Sequence, residues 1–426
     1  MPATKTSTRG ELAKPAHRDP NVLRWVVAYT ASVVGNGCFF LALGWAASRT
    51  ASPAEAGFVM AVGAVPRAVL MLGGGVIADR FSPRYVVIGS DMVRCAVILA
   101  AAAALALASP GLWLLVAVAL VFGVADALFL PAVGALPARL ADAEQVLRVQ
   151  GMRSLAVRLG NSMGAPLAGL VMALSGPAAA FAVAGGLFAL SLTLLFTVRI
   201  RALPVRKSDP EAEAEAEAGE ADAKGMWQEM TSGLRYVRGQ PLVRMLVLAL
   251  VVVELGCVAP LSIGLVLLAG DRGWGASSAG WTLGSFSVGA AVSSLLLTTM
   301  GRLPRPGVFY VASLAAGSAS IASLALAPSP LIAASLGAVG GLTLGLNGGI
   351  SYALVQSACN PAYLGRVMSL LSLASFGVGP LALPVFGAAA AGFGTAPAFA
   401  VFGAVAGLGA VACLFSADVR HAELPN

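Results

Sequence analysis

Charge and histidine are what this sequence has least of. Only 11% of its 426 residues are Asp, Glu, Lys or Arg, less than half of the roughly 25% that solvates an ordinary soluble domain. A water-soluble enzyme and a disordered regulator are both excluded. Histidine occurs twice, at His17 and His421 in polar tails, which argues against imidazole catalysis and a His-ligated metal. The five cysteines (Cys38, Cys95, Cys257, Cys359 and Cys413) lie in or beside apolar runs without paired spacing. They read as packing residues, so no disulfide framework or zinc centre is expected. No HExxH and no Walker-type phosphate loop is present, so no cofactor is expected and ATP is not the energy source. The net charge of +7 is spread in short clusters between apolar runs, which excludes nucleic acid as the partner.

What is abundant is apolar length. The chain is 58% hydrophobic, with a mean hydropathy of +0.85. A spanning helix needs about 20 mostly apolar residues. Twelve such runs occur, near 22–48, 55–78, 85–108, 111–134, 153–175, 178–199, 242–269, 276–300, 307–327, 330–355, 364–391 and 394–416. Most of the 50 glycines sit inside these runs, where small residues let helices approach closely in lipid. The first twenty residues are polar, with no apolar core of a cleaved signal peptide, so the first helix is expected to be the insertion signal. Of the 27 Lys and Arg, 22 fall on the side of both tails and the even-to-odd loops. The positive-inside rule then places both termini in the cytoplasm of a multi-pass protein of the cell's inner membrane.

A polar stretch divides the twelve runs six and six. It holds Arg199, Arg201, Arg206 and Lys207, then the acidic alternation from Glu211 to Glu217, a solvated linker by composition. Met226, Trp227, Met230, Leu234 and Val237 follow at helical spacing with Arg235 and Arg238 opposite, the pattern of an interfacial helix. The expected organisation is a tail (1–21), a six-helix bundle (22–200), a linker (201–241), a second bundle (242–416) and a tail (417–426). The fold class is therefore an all-α membrane protein with two pseudo-repeated bundles and a midplane site between them.

The segment Gly75-Val-Ile-Ala-Asp79-Arg80-Phe-Ser-Pro-Arg84 resembles the loop motif of the major facilitator superfamily, keeping its Gly, Ala, Asp and Arg but replacing a later Gly-Arg by Ser82-Pro83. Asp79 ends a helix, where the macrodipole disfavours an anion, so it needs a cation. Arg139 and Arg366 are candidates, and Gly75, Asp79, Arg80, Arg84, Arg139 and Arg366 together form the expected conformational latch. Asp91-Met-Val-Arg94, Phe129-Leu-Pro-Ala132, Gly233 to Pro241 and Gly365-Arg-Val-Met-Ser369 resemble segments of the drug:proton antiporter group that contains macrolide-efflux and enterobactin-exporter proteins. The resemblance implies export of a small drug-like compound or secreted metabolite, as in antibiotic or multidrug resistance, usually driven by protons; uptake by a symporter or facilitator of the same fold is the alternative. Gly160-Asn-Ser-Met-Gly164-Ala-Pro166-Leu-Ala-Gly169 resembles an exporter hinge motif with Ala165 inserted, and reads equally as small-residue packing. The expected partners are a small-molecule substrate, protons and the bilayer, with the chain a monomer.

An ionisable residue inside a span costs at least ~2.5–3.5 kcal/mol at the centre and needs a reason. Asp126 and Glu254 lie near mid-span, and a carboxyl held from water there can exchange a proton near neutral pH. Both are proton-coupling candidates, and Asp91 is a third. Arg67 is placed to balance charge or contact an anionic substrate group, and it reads equally as half of a structural ion pair. Asp91 and Arg94, three apart, can pair on one helix face, with a structural role or a relay towards Asp79. Arg158, Asn36 and Asn347 complete the polar candidates. Phe39, Phe40, Trp45, Phe122, Phe129, Trp281, Phe286, Tyr352 and Phe376 are candidate aromatics for a mostly apolar cavity, each also a plain packing residue.

Overall fold

The computed structural model describes residues 18–80, 82–108, 111–140, 143–198, 231–299 and 303–423, and among these it is helical with no strand. The acidic linker, His17, and the side chains of Asp79, Arg80 and Phe376 lie outside the described residues, as do the surroundings of Gly75. Twelve helical passes are present. They are α1 (Pro20–Thr50), α2 (Pro53–Arg80), α3 (Pro83–Leu107) and α4 (Leu112–Ala135), then α5 and α6, the two parts of Ala143–Thr197 broken at Gly176. The second six are α7 (Pro241–Asp271), α8 (Ala276–Thr299), α9 (Pro306–Leu326), α10 (Pro330–Ala358), α11 (361–393) and α12 (Thr395–Phe415).

Local chemistry sets the helix ends. α1, α3, α7, α9 and α10 each open with proline in the first turn, where its missing N–H is not needed. Asp19 accepts from Asn21 N at 2.8 Å to cap α1. Ser52 and Glu55 form a capping box on α2: Ser52 N and Oγ each donate to Glu55 at 2.8 Å. That bonding holds the exposed Glu55 carboxyl below the usual glutamate range. Gly176, at φ 81°, turns α5 into α6, a left-handed conformation that favours glycine. Two passes are irregular midway. α7 widens into a π turn at Pro260–Gly264, where Pro260 supplies no N–H. α11 does so at Ala374–Val378 and then tightens into a 3₁₀ turn at Gly379–Leu381.

Packing differs at the two ends of the molecule. At the end carrying the α1–α2, α7–α8 and α11–α12 loops, one continuous apolar cluster takes residues from both sets of six, from Phe39 and Met60 to Ile263, Val266 and Phe386. At the tail end there are two separate clusters. One holds Trp25, Tyr29, Phe129 and Leu195 of α1–α6. The other holds Leu246, Tyr310, Leu354 and Val367 of α7–α12. The seam between the sets is tightest where glycines remove side chains. A Cβ on Gly57 of α2 would lie 2.6 Å from the Leu383 carbonyl oxygen of α11, and one on Gly280 of α8 would lie 2.4 Å from that of Ala165 on α5. Neither site has room for alanine. Close backbone approach of this kind is how helices gain dispersion energy in lipid, where apolar burial gives no driving force.

Candidate functional site

Arg94 on α3 is fully buried, 0% exposed, as is Asp91. It ion-pairs with Asp91 one turn earlier. Its Nη1 donates to Asp126 Oδ1 on α4 at 3.2 Å and to Asn36 Oδ1 on α1 at 3.4 Å. Asn36 Nδ2 donates to the same Asp126 oxygen at 3.4 Å. Asp91 also accepts from Ser191 Oγ on α6 at 2.6 Å and from Ser32 Oγ on α1 at 3.4 Å. Arg67 of α2 closes the chain of charges, its Nε 3.4 Å from Asp126 Oδ2. Two carboxylates and two guanidiniums from three helices, bonded to side chains of two more, leave no net charge. That balance is what makes such a cluster tolerable away from water. The Arg94 guanidinium also lies over the Phe129 ring at 3.8 Å and near Phe188 at 4.9 Å, an electrostatic attraction strengthened by desolvation.

The outer member of this cluster reaches a cavity at the seam of about 270 Å³. Arg67, its side chain 28% exposed, and Asp126 form one wall with Phe40, Met60 and Gly63. Val258 and Ser262 of α7 and Ser375, Pro380 and Leu383 of α11 form the other. The cavity therefore lies beside both irregular helix segments, and π turns recur at functional positions because they free backbone groups and re-aim side chains. Glu254 is one helical turn from Val258 on α7 and takes a hydrogen bond from Ser375, which lines the cavity. Counted at 1.5 Å per residue, Asp126 and Arg67 are each ~21 Å into their helices and Glu254 ~20 Å. All three therefore lie within ~4 Å of the midpoints of α2, α4 and α7.

The structure separates the remaining sequence candidates. Phe40 lines the cavity. Phe39, Phe122 and Phe129 take the packing reading rather than the cavity one: they are 0%, 1% and 3% exposed, Phe39 and Phe122 in the shared core and Phe129 in the tail-end core of α1–α6, with Phe39 stacked on Phe122 at 3.9 Å between ring centres. Trp281 and Tyr352 face outward. Trp45 is half-buried against the shared core. Phe286 borders a different groove, between α5 and α8, with Arg158. Asn347 is buried and donates to the Tyr310 carbonyl at 3.2 Å, a bond within α7–α12. Arg94 joins Asp91 to Asp126, a wider connection than a local pair. Gly160 and Gly164 bring α5 against Val33, Val34 and Gly37 of α1, whereas Pro166 and Gly169 meet Gly284 and Ser277 of α8 across the seam. Arg84 donates to the Phe196 carbonyl at 3.3 Å, Arg139 is half-buried, and Arg366 lies 5.5 Å from the Tyr363 ring centre. Sequence reasoning missed Ser32, Ser191, Ser375 and Phe188. A lone serine in an apolar helix carries no sign of which neighbour it faces.

The family model described as Major Facilitator Superfamily matches residues 25–372 of the chain. The chain belongs to this superfamily. It is a multi-pass membrane transporter, not an enzyme by family. Among curated proteins it is 24% identical over 344 residues to the enterobactin exporter EntS of Shigella boydii serotype 18, covering 76% of each chain. The same figures hold for EntS of Escherichia coli O1:K1. Among solved structures it is similar to the nucleoside transporter NupG, with a TM-score of 0.71 and 16% identity over 93% of this chain and 98% of that one. It is also similar to a D-xylose-proton symporter, at 0.67 and 14% over 95% and 98%. At these identities the structures establish the fold alone.

Proposed function

We propose that this transporter exports a small drug-like compound or secreted metabolite from the cytoplasm in exchange for protons, acting as a monomer with both termini inside. The observation that carries this reading is Asp126, a carboxylate on the wall of the seam cavity that is shared between Arg67 and Arg94. A protonated Asp126 cannot ion-pair with either arginine. Arg67 belongs to α2, and α2 packs against α11 across the seam. The charge on Asp126 is thereby tied to the contact that holds the two sets of helices together. Glu254, facing Ser375 on the opposite wall, is the second proton site. The shared core at one end and the split cores at the tail end fit a state closed to the outside and parted towards the cytoplasm. The named export activity of the EntS relatives supports the direction.

The test is susceptibility to a panel of drugs and metabolites in a host stripped of its own pumps. Wild type, Asp126→Asn and Glu254→Gln are compared at matched expression. Protection by wild type that Asp126→Asn abolishes is the expected result. Protection left intact by both substitutions would remove these carboxyls from the mechanism. The uptake reading is favoured instead if the wild type sensitises the host to a compound and increases its accumulation.

A further inference from the structure

A second polar site lies outside the seam cavity. Arg153, Ser154, Val157, Arg158 and Asn161 of α5 face Phe286, Ala290 and Ala291 of α8 across a groove of about 440 Å³. At ~100° per residue these α5 side chains cover an arc of ~140°, with Arg153 and Arg158 at its two edges and ~7.5 Å apart along the axis. Among the described residues no carboxylate pairs with Arg153 or Arg158. Arg158 donates to Ser294 at 2.6 Å, and Arg153 rests near the Tyr29 ring at 5.6 Å. The Nε of Arg153 is buried with no hydrogen-bond partner. A buried guanidinium N–H without an acceptor is costly, and two like charges in one groove add repulsion. An anion in the groove would relieve both.

Depth identifies its chemistry. Counted from the Gly176 turn at 1.5 Å per residue, Arg158 is ~27 Å and Arg153 ~34.5 Å along α5. The pair therefore straddles the tail-side edge of a ~30 Å hydrocarbon layer. The facing wall of Phe286, Ser287, Ala290 and Ala291 is apolar but for the one hydroxyl and runs back towards mid-membrane. We infer that this groove binds an anionic phosphate headgroup carried on apolar chains, and that its source is an anionic phospholipid of the tail-side leaflet. The phosphodiester bridges Arg153 and Arg158 through charge-assisted hydrogen bonds, and an acyl chain lies along α8. Because α5 and α8 belong to different sets of six, the lipid would bridge the seam where the split cores leave it open.

The purified full chain in mild detergent is titrated with phosphatidylglycerol, or with phosphatidylcholine of the same acyl chains, and bound lipid is counted by native mass spectrometry. Octyl phosphate serves as a soluble bearer of the same anion. Phosphatidylglycerol is expected to bind roughly tenfold tighter than phosphatidylcholine, and the combined Arg153→Gln and Arg158→Gln variant to lose that preference. Ala291→Glu, which keeps both arginines and supplies a competing carboxylate from α8, is expected to lose it as well. Arg420→Gln, an exposed charge beyond α12, leaves it unchanged. Equal binding of the two lipids, or a preference kept in both groove variants, would overturn the site. Octyl phosphate binding that depends on Arg153 and Arg158 and is not displaced by phosphatidylglycerol would overturn the lipid source.

Discussion

Replacing Arg94 by methionine removes a fully buried cation while keeping an unbranched side chain of similar reach. Asp126 would retain Arg67 at 3.4 Å, but Asp91 would be left with only the hydroxyls of Ser32 and Ser191. Breaking a buried pair from one side costs about 3–5 kcal/mol, because the abandoned charge stays buried. The contacts with Phe129 and Phe188 are lost in addition. At about 2–4 °C per kcal/mol for a cooperative unit of 150–250 residues, Arg94→Met lowers Tm by on the order of 10 °C. Thermal unfolding in mild detergent can be followed with a thiol-reactive dye, since the five cysteines are free and buried. Adding Asp91→Asn to Arg94→Met removes the stranded charge and returns half or more of the loss. Arg94→Lys falls between, keeping charge but not the planar fork. A Tm for Arg94→Met within about 1 °C of wild type, or a double variant less stable than either single, would refute the reasoning.

Three further outcomes follow from the same structure. Gly57→Val places a branched side chain where even a Cβ would lie 2.6 Å from the Leu383 carbonyl, and it pries α2 from α11. A cysteine introduced at Met60 then reacts faster with a membrane-impermeant thiol reagent from the α1–α2 loop side than it does in a Gly57 background; an equal rate would mean that this contact does not close that end. Glu55 titrates below an ordinary glutamate, by the direction of its shift, and Ser52→Ala returns it towards the ordinary value when followed by NMR. Its pKa is lowered on folding, so the stabilisation is present above the unfolded pKa and is lost as pH falls through the folded one. A Glu55 titration unmoved by Ser52→Ala would contradict the capping box. Gly280→Leu, where even a Cβ would lie 2.4 Å from the Ala165 carbonyl oxygen on α5, abolishes transport while leaving Arg94-dependent stability in place; a transporting Gly280→Leu protein would show that this seam can open without cost.

The twelve passes were legible because hydrocarbon demands long apolar runs, and each observed helix contains most of its expected run. The capping prolines and the Gly176 break sharpen ends that hydropathy leaves vague. Asp126, Arg67, Asp91 and Arg94 stood out because charge is expensive in a span. Their mutual arrangement did not, since Arg94 reaches α4 through a geometry no linear spacing encodes. The aromatics were the least legible. α4 is apolar on every side, so periodicity offers no way to separate Phe122 and Phe129, turned into the core, from a residue on the cavity wall. Phe39 shares that ambiguity on α1. The glycines of α2, α8 and α11 that set the seam look like those facing lipid until their partners are in view.

If Asp126 couples proton movement to substrate export through the seam cavity, the two fluxes must rise and fall together. Purified protein reconstituted into liposomes loaded with a pH-sensitive dye tests it most directly. A panel of drugs, lipophilic dyes and secreted metabolites is added under an imposed proton gradient. At least one compound is expected to move against proton flow, with the dye reporting proton movement only when that compound is present, and Asp126→Asn is expected to abolish both. A compound moved without any accompanying proton flux, or moved and coupled equally well by Asp126→Asn, would contradict it.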